Sequence, residues 1–487
     1  MPAQVSVNDF ATKLRSRLAR LDSLHVDPKE LAELFRFTVV PSPRADALRG
    51  ALHEYLLRLT LQHACAHCPW YRDNPGYCEP SEPHDLTALP IIDRQTLLEH
   101  AEELLADDRT TFSISHTSGT TGAALNIHKS PDEVQWLQSY YESLFRPIRE
   151  NLPSLPLSLF FPNAYHGVPV PLPSLGRVFI GGVTDDLLIQ DAVGILRSAY
   201  KIDGCDERIS MISGLAFHVM FFTSFLLEQG IDPRCFGIRN LNITGRYTSQ
   251  HERRFISDAW EAPVNDRYTL TEVVGGASRC HACGKFHLDP HILGEAIDMD
   301  TGKPVTEGVG FLVLTNFYPF VQKQPLVRYN TGDLVRVAPS RCNITLTFDF
   351  LGKASNCVRR EVSGRSEWVL FSAELYEILS ALPDVRINEW FSNVRVAHDR
   401  SVGSQPIYAV DTSSESSGSL SIRLTPELRY APHYYAGRLE EMRRHIAEGL
   451  RAANASLARG LDEQDIVLKI DFAGPDTLGE RGIQPKI

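Results

Sequence analysis

Several absences narrow what this chain does. No G-x-x-x-x-G-K-[ST] string occurs in it, which excludes the P-loop as its way of holding phosphate. Met1 to Arg20 is polar and charged and lacks the apolar core of a signal peptide. The most apolar stretch, residues 211–227, contains His218 and hydroxyl side chains and is short for a membrane span. It is expected to form a buried helix, and no membrane partner is expected. Basic residues are in deficit: 49 Lys+Arg stand against 60 Asp+Glu, a formal charge of −11. That balance argues against nucleic acid as the partner but leaves room for a small anionic ligand in a local pocket. Cysteines number nine, an odd count unevenly spread, which argues against a secreted disulfide framework. They are expected to stay reduced, to bind metal or to pack in the core, with the cytoplasm as compartment. There is no internal repeat and no long low-complexity tract.

The 487 residues, 43% hydrophobic and 22% charged, have the balance of a soluble globular protein of more than one domain. Residues 18–34 and 49–66 carry apolar side chains at helical spacing, so the first hundred residues read as a helical lead-in. From residue 112 to about 350, strand-like runs (157–161, 178–180, 209–212, 241–243, 311–315) alternate with helical stretches (132–144, 190–200, 216–229, 250–259). That alternation predicts an α/β domain with mostly parallel sheets. Beyond 351, short strands (388–396, 405–411, 420–424, 465–471) surround one long amphipathic helix near 435–457, and a Ser-rich loop is expected over 412–419. The expected division is a large α/β core over 1–351, its helical lead-in ending near 105, and a small α+β domain over 352–487.

The chemistry concentrates in four segments. Thr117-Ser118-Gly119-Thr120-Thr121-Gly122 follows a predicted strand and joins four hydroxyls to two glycines' open backbone, a combination suited to phosphate oxygens. A plain polar turn is the alternative reading. Asn242-Ile243-Thr244-Gly245-Arg246 follows a hydrophobic strand. Tyr268-Thr269-Leu270-Thr271-Glu272 offers an aromatic face for a base and a carboxylate for Mg²⁺, a hard cation that takes oxygen ligands. Arg328-Tyr329-Asn330-Thr331-Gly332-Asp333 offers a carboxylate for ribose hydroxyls, although Asp in a Gly turn is usually a turn residue.

In this order, S-G-T-T-G, Y-x-x-T-E and R-Y-x-T-G-D resemble the acyl-adenylate-forming superfamily, and within it the phenylacetate–coenzyme A ligase branch. The resemblance implies that Thr117, Ser118, Gly119, Thr120, Thr121 and Gly122 wrap the ATP phosphates. It implies that Gly245 and Arg246 lie beside adenine, that Tyr268 contacts it, that Thr271 touches phosphate, that Glu272 holds Mg²⁺ and that Asp333 binds ribose. The implied reaction joins a carboxylate to ATP, giving acyl-adenylate and pyrophosphate, and then transfers the acyl group, usually to the coenzyme A thiol. The chain departs from the pattern in places. Ala123-Ala124-Leu125 follows the loop where most of the superfamily has x-Pro-Lys, Arg246 replaces a Glu, and Lys353 in Gly352-Lys353-Ala354-Ser355-Asn356 replaces an Arg at the hinge. Lys486 is the positional candidate for the catalytic lysine. Tyr165, His166 and Phe217 fall where the acid pocket is expected and favour an aryl or planar acid; core packing is the alternative for each.

Cys280-His281-Ala282-Cys283-Gly284 has zinc-knuckle spacing, and Cys280, Cys283, His287 and Cys342 would close a structural Cys₃His site. Cys65-Ala66-His67-Cys68 is read as core or surface helix. The sequence thus points to an ATP-dependent acid ligase using ATP, Mg²⁺ and a structural Zn²⁺. Coenzyme A is the leading acceptor, with an amine or a carrier-protein thiol as the alternative and a non-catalytic nucleotide-binding protein as the second alternative. A homodimer is compatible with the sequence, which does not fix the assembly.

Overall fold

The computed structural model describes residues 43–78, 86–117, 124–135, 137–138, 149–162, 176–289, 291–338, 342, 346–362, 365–387, 390–391, 394–395, 405–414 and 419–479. The lead-in forms helix α1 (Pro43–His67), followed by single turns at Pro69–Arg72 and Pro75–Cys78. Its core joins Leu56, Tyr71 and Tyr77 to Phe317, Leu326 and Tyr329, so it packs on the segment that enters a later strand. The Tyr71 hydroxyl donates to the Pro325 carbonyl at 2.9 Å and accepts from the Val327 amide at 3.1 Å. One cysteine expectation is corrected here: Cys65 and Cys78 form a disulfide. Prolines at 69 and 75 fold the chain back along the end of α1 and bring the two Cα atoms to 5.7 Å.

Strands β1 (Ser113–His116) and β2 (Asn126–Lys129) make an antiparallel pair outside the main sheet. Among the described residues the main sheet has twelve strands. At one end β3 (Leu155–Phe161), β4 (Arg177–Ile180), β5 (Cys205–Leu215), β6 (Asn240–Thr244) and β7 (Val264–Tyr268) are parallel. Helices α2 (Asp186–Arg197), α3 (Ala216–Glu228) and α4 (Gln250–Trp260) connect them. The expected parallel α/β unit is this end. The sheet continues antiparallel through β8 (Ala277–Arg279), β9 (Phe286–Leu288), β10 (Ile292–Asp298), β11 (Lys303–Pro304), β12 (Gly308–Asn316), β13 (Tyr329–Val337) and β14 (Thr347–Lys353). The run 211–227 is the end of β5 followed by α3, which matches the strand-like 209–212 and helical 216–229 readings and corrects that of one buried helix throughout. Strands covered on both faces read as continuous apolar sequence, so periodicity does not separate them from a buried helix.

After Ala354–Asn356 comes a hairpin of β15 (Val358–Val362) and β16 (Arg365–Leu370), then α5 (Ser372–Ser380). A short pair, β17 (Trp390–Phe391) with β18 (Val394–Arg395), precedes a three-stranded sheet of β19 (Tyr408–Ser414), β20 (Leu420–Pro426) and β21 (Ile466–Ile470). Val369, Leu375, Ile422, Ile446 and Leu457 form its core. The single helix expected near 435–457 is two, α6 (Leu439–Ala453) and α7 (Ala455–Asp462). Asn454 breaks it, because its side chain accepts from the Ser456 and Leu457 amides and caps α7. The expected loop at 412–419 starts later, since Thr412 to Ser414 still pair with β20. Among the described residues no helix is long and apolar enough to cross a membrane.

Candidate active site

Tyr268 ends β7 and Asp333 lies on β13, 65 residues apart in sequence. The Tyr268 hydroxyl donates to Asp333 Oδ2 at 2.5 Å. Local chemistry in the R-Y-N-T-G-D string aims the carboxylate. Asn330 Oδ1 accepts from the Gly332 amide at 2.9 Å, an Asx turn, and Gly332 takes φ +73°, which glycine alone adopts freely. Thr331 Oγ1 donates to the Leu312 carbonyl at 2.8 Å and accepts from the Asp333 amide at 3.1 Å. Asp333 is thereby held 1% exposed.

Lys353 stands directly across from Asp333 in the β13–β14 register, and its Nζ lies 2.8 Å from Asp333 Oδ1. The same ammonium donates to the Thr331 carbonyl at 3.0 Å. A buried carboxylate needs such partners, since an uncompensated charge in the interior is costly. Burial, and next the Asp333 carboxylate, push the Tyr268 phenol well above its ordinary value, so it is a permanent donor at neutral pH.

Glu272 follows β7 by one turn. It accepts from the Tyr329 hydroxyl at 3.1 Å and lies 4.0 Å from the Arg94 guanidinium. The Asn316 side chain donates to its backbone carbonyl at 3.1 Å. Burial and then Glu272 push the Tyr329 phenol up, and Asp333 adds to the same shift. Glu272, Tyr329, Tyr268 and Asp333 therefore form one electrostatic cluster across the ends of β7 and β13. Its oxygen donors suit a hard divalent cation beside Glu272. Thr271 is half-buried next to it.

Thr117 closes the β1–β2 hairpin: its amide donates to the Leu125 carbonyl at 3.0 Å and its Oγ1 accepts from the Leu125 amide at 2.9 Å. The phosphate-loop candidate thus spans two antiparallel strands, unlike a strand-to-helix P-loop. Its members Ser118, Gly119, Thr120, Thr121 and Gly122 lie outside the described residues, as do Tyr165, His166 and Lys486. The hairpin is fixed to the segment before β13 by the His128 amide, which donates to Gln324 Oε1 at 2.9 Å.

Gly245 takes φ +96°, and a Cβ there would stand 2.3 Å from Leu215 Cδ2. The Arg246 side chain is buried. Its NH2 lies 2.8 Å from Glu252 Oε1 on α4 and its NH1 donates to the Tyr376 hydroxyl on α5. Tyr376 donates in turn to Glu252 Oε1 at 2.8 Å. Phe217 is buried at the start of α3 beside His218 and Phe221.

The cysteine cluster assembles as its spacing predicts. One donor atom each from Cys280, Cys283, His287 and Cys342 lies within 4.8 Å of the other three. Cys280 Sγ and Cys342 Sγ are 3.7 Å apart, and Cys283 Sγ is 3.1 Å from His287 Nε2. A tetrahedron with Zn–S of about 2.3 Å has edges of about 3.8 Å, so the donors fit zinc with small adjustment. The knuckle turn is closed by the Gly284 amide donating to the Cys280 carbonyl at 2.8 Å.

Sequence reasoning missed Tyr329, Arg94 and the Arg246–Glu252–Tyr376 network. Tyr329 sits inside a recognised string and its proximity to Glu272 was findable only through the fold; Arg94 carries no sequence signal at all.

No protein-family model matches the chain. The phenylacetate–coenzyme A ligase of Thermus thermophilus is 24% identical over 192 residues, 37% of this chain and 41% of that protein. The match thus spans less than half the length of that relative. A solved structure of 2-hydroxyisobutyryl-CoA ligase in the post-adenylation state, with an acyl-AMP bound, superposes with a TM-score of 0.59 at 14% identity, over 91% of this chain and 89% of that one. An open conformation of the same ligase with acyl-AMP and CoA gives 0.59 at 14% identity, over 91% of each chain. The chain has the fold of the acyl-adenylate-forming superfamily, and its sequence resembles the phenylacetate–coenzyme A ligase branch.

Proposed function

We propose that the chain is an AMP-forming acid–coenzyme A ligase. The observation that carries this reading is the buried Tyr268–Asp333–Lys353 set with Glu272 beside it, joined across the strand ends of this fold. A carboxylate substrate attacks the α-phosphorus of ATP, the α–β bridging P–O bond breaks, and pyrophosphate leaves. A thiolate then attacks the acyl carbon of the mixed anhydride and AMP leaves. Asp333, fixed by Lys353, accepts from the ribose hydroxyls. Tyr268 packs against the base, and Thr271 with Thr117 to Gly122 holds phosphate oxygens. Glu272 would hold Mg²⁺, which supplies charge neutralisation on the phosphates. Further positive charge comes from Lys486 when the small domain, 352–487, closes on 1–351. Catalysis of this kind is positioning plus electrostatics.

Gly245 and Arg246 would lie beside adenine, with the Arg246 side chain anchored by Glu252 and Tyr376. Cys280, Cys283, His287 and Cys342 would hold a structural Zn²⁺. Tyr165, His166 and Phe217 border an aryl or planar acid. The altered hinge around Lys353 favours a second reading, transfer to an amine or a carrier-protein thiol.

Mass spectrometry of reactions with ATP, Mg²⁺, an acid library and either coenzyme A or amines separates these readings. The expected products are AMP and an acyl-CoA. An amide without thioester supports the second reading. Folded protein that releases no AMP with any acid supports a non-catalytic nucleotide-binding role.

A further inference from the structure

The lead-in helix carries a cluster that the proposed reaction does not use. His63 and His67 stand one turn apart on α1 and so share a face, their ring centroids 5.1 Å apart. The following loop brings acids to them. His67 Nδ1 lies 3.5 Å from Asp107 Oδ1 and 3.7 Å from Asp108 Oδ1. One donor atom each from His63, His67 and Asp108 lies within 4.8 Å of the other two.

Backbone bonds, not only charge attraction, hold this spacing. The Asp107 amide donates to the His67 carbonyl at 2.9 Å, and the Ala106 amide to the Lys323 carbonyl at 2.8 Å. Lys323 Nζ donates to the Ala106 and Arg109 carbonyls, each at 2.7 Å. His63 Nε2 lies 2.7 Å from the Gln322 carbonyl oxygen. A carbonyl oxygen only accepts, so Nε2 carries the proton and Nδ1 keeps its lone pair. Metal-ligating histidines are oriented in this way, by donating their other ring N–H to a backbone carbonyl.

The remaining carboxylate oxygens have partners as well. Arg72 lies 3.4 Å from Asp107 Oδ2, and Arg109 lies 3.5 Å from Asp108 Oδ2. A surface ion pair accounts for His67 with its acids. It leaves unexplained why a buried second imidazole brings a donor to the same point.

We propose that His63, His67 and Asp108 bind a divalent ion of the zinc class. Two imidazole nitrogens with carboxylate oxygen suit zinc, whereas magnesium and calcium prefer oxygen alone. The bound ion ties the end of α1 to the 106–109 loop and, through His63, to Gln322 and the segment that runs into β13. This inference is independent of the proposed reaction and of the Cys₃His cluster, because its donors are different residues of different chemistry.

The test is elemental analysis of the full chain after equilibrium dialysis against micromolar ZnCl₂, with circular dichroism confirming the fold. Wild type is expected to hold one equivalent more zinc than His67→Ala, and Asp108→Asn is expected to lose the same equivalent or to need at least tenfold more zinc to fill it. Cys283→Ser is expected to keep the His67-dependent equivalent. With Co²⁺ in place of zinc, that equivalent is expected to show visible d–d bands without the near-ultraviolet sulfur charge-transfer band of a thiolate site. Folded His67→Ala and Asp108→Asn that both match wild type in zinc content overturn the proposal. A His67-dependent equivalent that disappears in Cys283→Ser overturns it too.

Discussion

Arg246 occupies a position where the resembled superfamily has a carboxylate, and its surroundings explain how the chain accommodates the change. Burial alone would disfavour its charge, but Glu252 and Tyr376 outweigh that and keep the guanidinium firmly protonated. Replacing one member of a buried pair leaves the other uncompensated. Arg246→Met is therefore expected to cost about 3–5 kcal/mol. Arg246→Met combined with Glu252→Gln is expected to cost less than the sum of the two single changes. Urea denaturation of the three variants measures this, and additive costs would remove the pair from the account.

His218 gives the other residue-scale prediction. Burial depresses its imidazole from 6.5 to about 4, while the unfolded chain titrates at the ordinary value. The neutral ring's contribution is therefore fully present above pH 6.5 and is lost as pH falls toward 4. The slope from this group is at most about 1.4 kcal/mol per pH unit. His218→Gln is expected to flatten the acid limb of stability against pH between those values; an unchanged limb would contradict the burial argument. At this scale the sequence was readable where a function sits in a local string. Tyr268, Asp333 and Glu272, which the fold brings into one cluster, were singled out that way. Arg94, which approaches Glu272, and Tyr376, which meets Arg246, come from distant segments with no pattern of their own.

Among the elements, the junction at the end of β14 sets the geometry of the site. Gly352 takes φ +114°, and a Cβ there would stand 1.9 Å from Ser372 Oγ at the start of α5. It directly precedes Lys353, the partner of Asp333. Gly302, in a surface turn at φ +68°, has nothing within 4 Å of its notional Cβ. Gly302→Ala carries backbone strain of about 1 kcal/mol. Gly352→Ala adds a steric clash, so it is expected to lower the melting temperature further and to weaken ATP binding, which Gly302→Ala leaves intact. Calorimetry of the two variants decides, and equal effects would argue against the close packing of β14 on α5. Helix α5 itself faces two cores, with Tyr376 against Phe348 and Phe350 and with Leu375 and Leu379 in the C-terminal core. The parallel end of the sheet was legible because apolar runs alternate with capped helices. The antiparallel end was not, because β8, β9 and β11 are two or three residues long and carry no period. The division of α6 from α7 was also hidden, since one capping asparagine breaks an otherwise continuous apolar stripe.

At the scale of the molecule, the lead-in, the antiparallel end of the sheet and the β1–β2 hairpin meet at one segment, 317–329. Tyr71, Arg328 and His128 all anchor there or contact it. Arg328 also pairs with Glu295 at 3.0 Å, so the strand that carries Asp333 begins from a fixed point. The disulfide between Cys65 and Cys78 strengthens the same region, and nothing in the cysteine spacing pointed to it, because chain reversal at two prolines made the contact. The proposed ribose and metal subsite would therefore rest on a fixed base.

The central claim is that the Tyr268–Asp333–Lys353 set serves acid adenylation. Acid-dependent ATP–pyrophosphate exchange tests it most directly, with wild type and Asp333→Asn compared over a panel of aryl and small carboxylic acids. The account predicts exchange by wild type that requires an acid, and at least a tenfold loss in Asp333→Asn, the scale of one charge-assisted hydrogen bond of about 1.5–3 kcal/mol. Folded wild-type protein that exchanges with no acid, or exchange undiminished in folded Asp333→Asn, would contradict it.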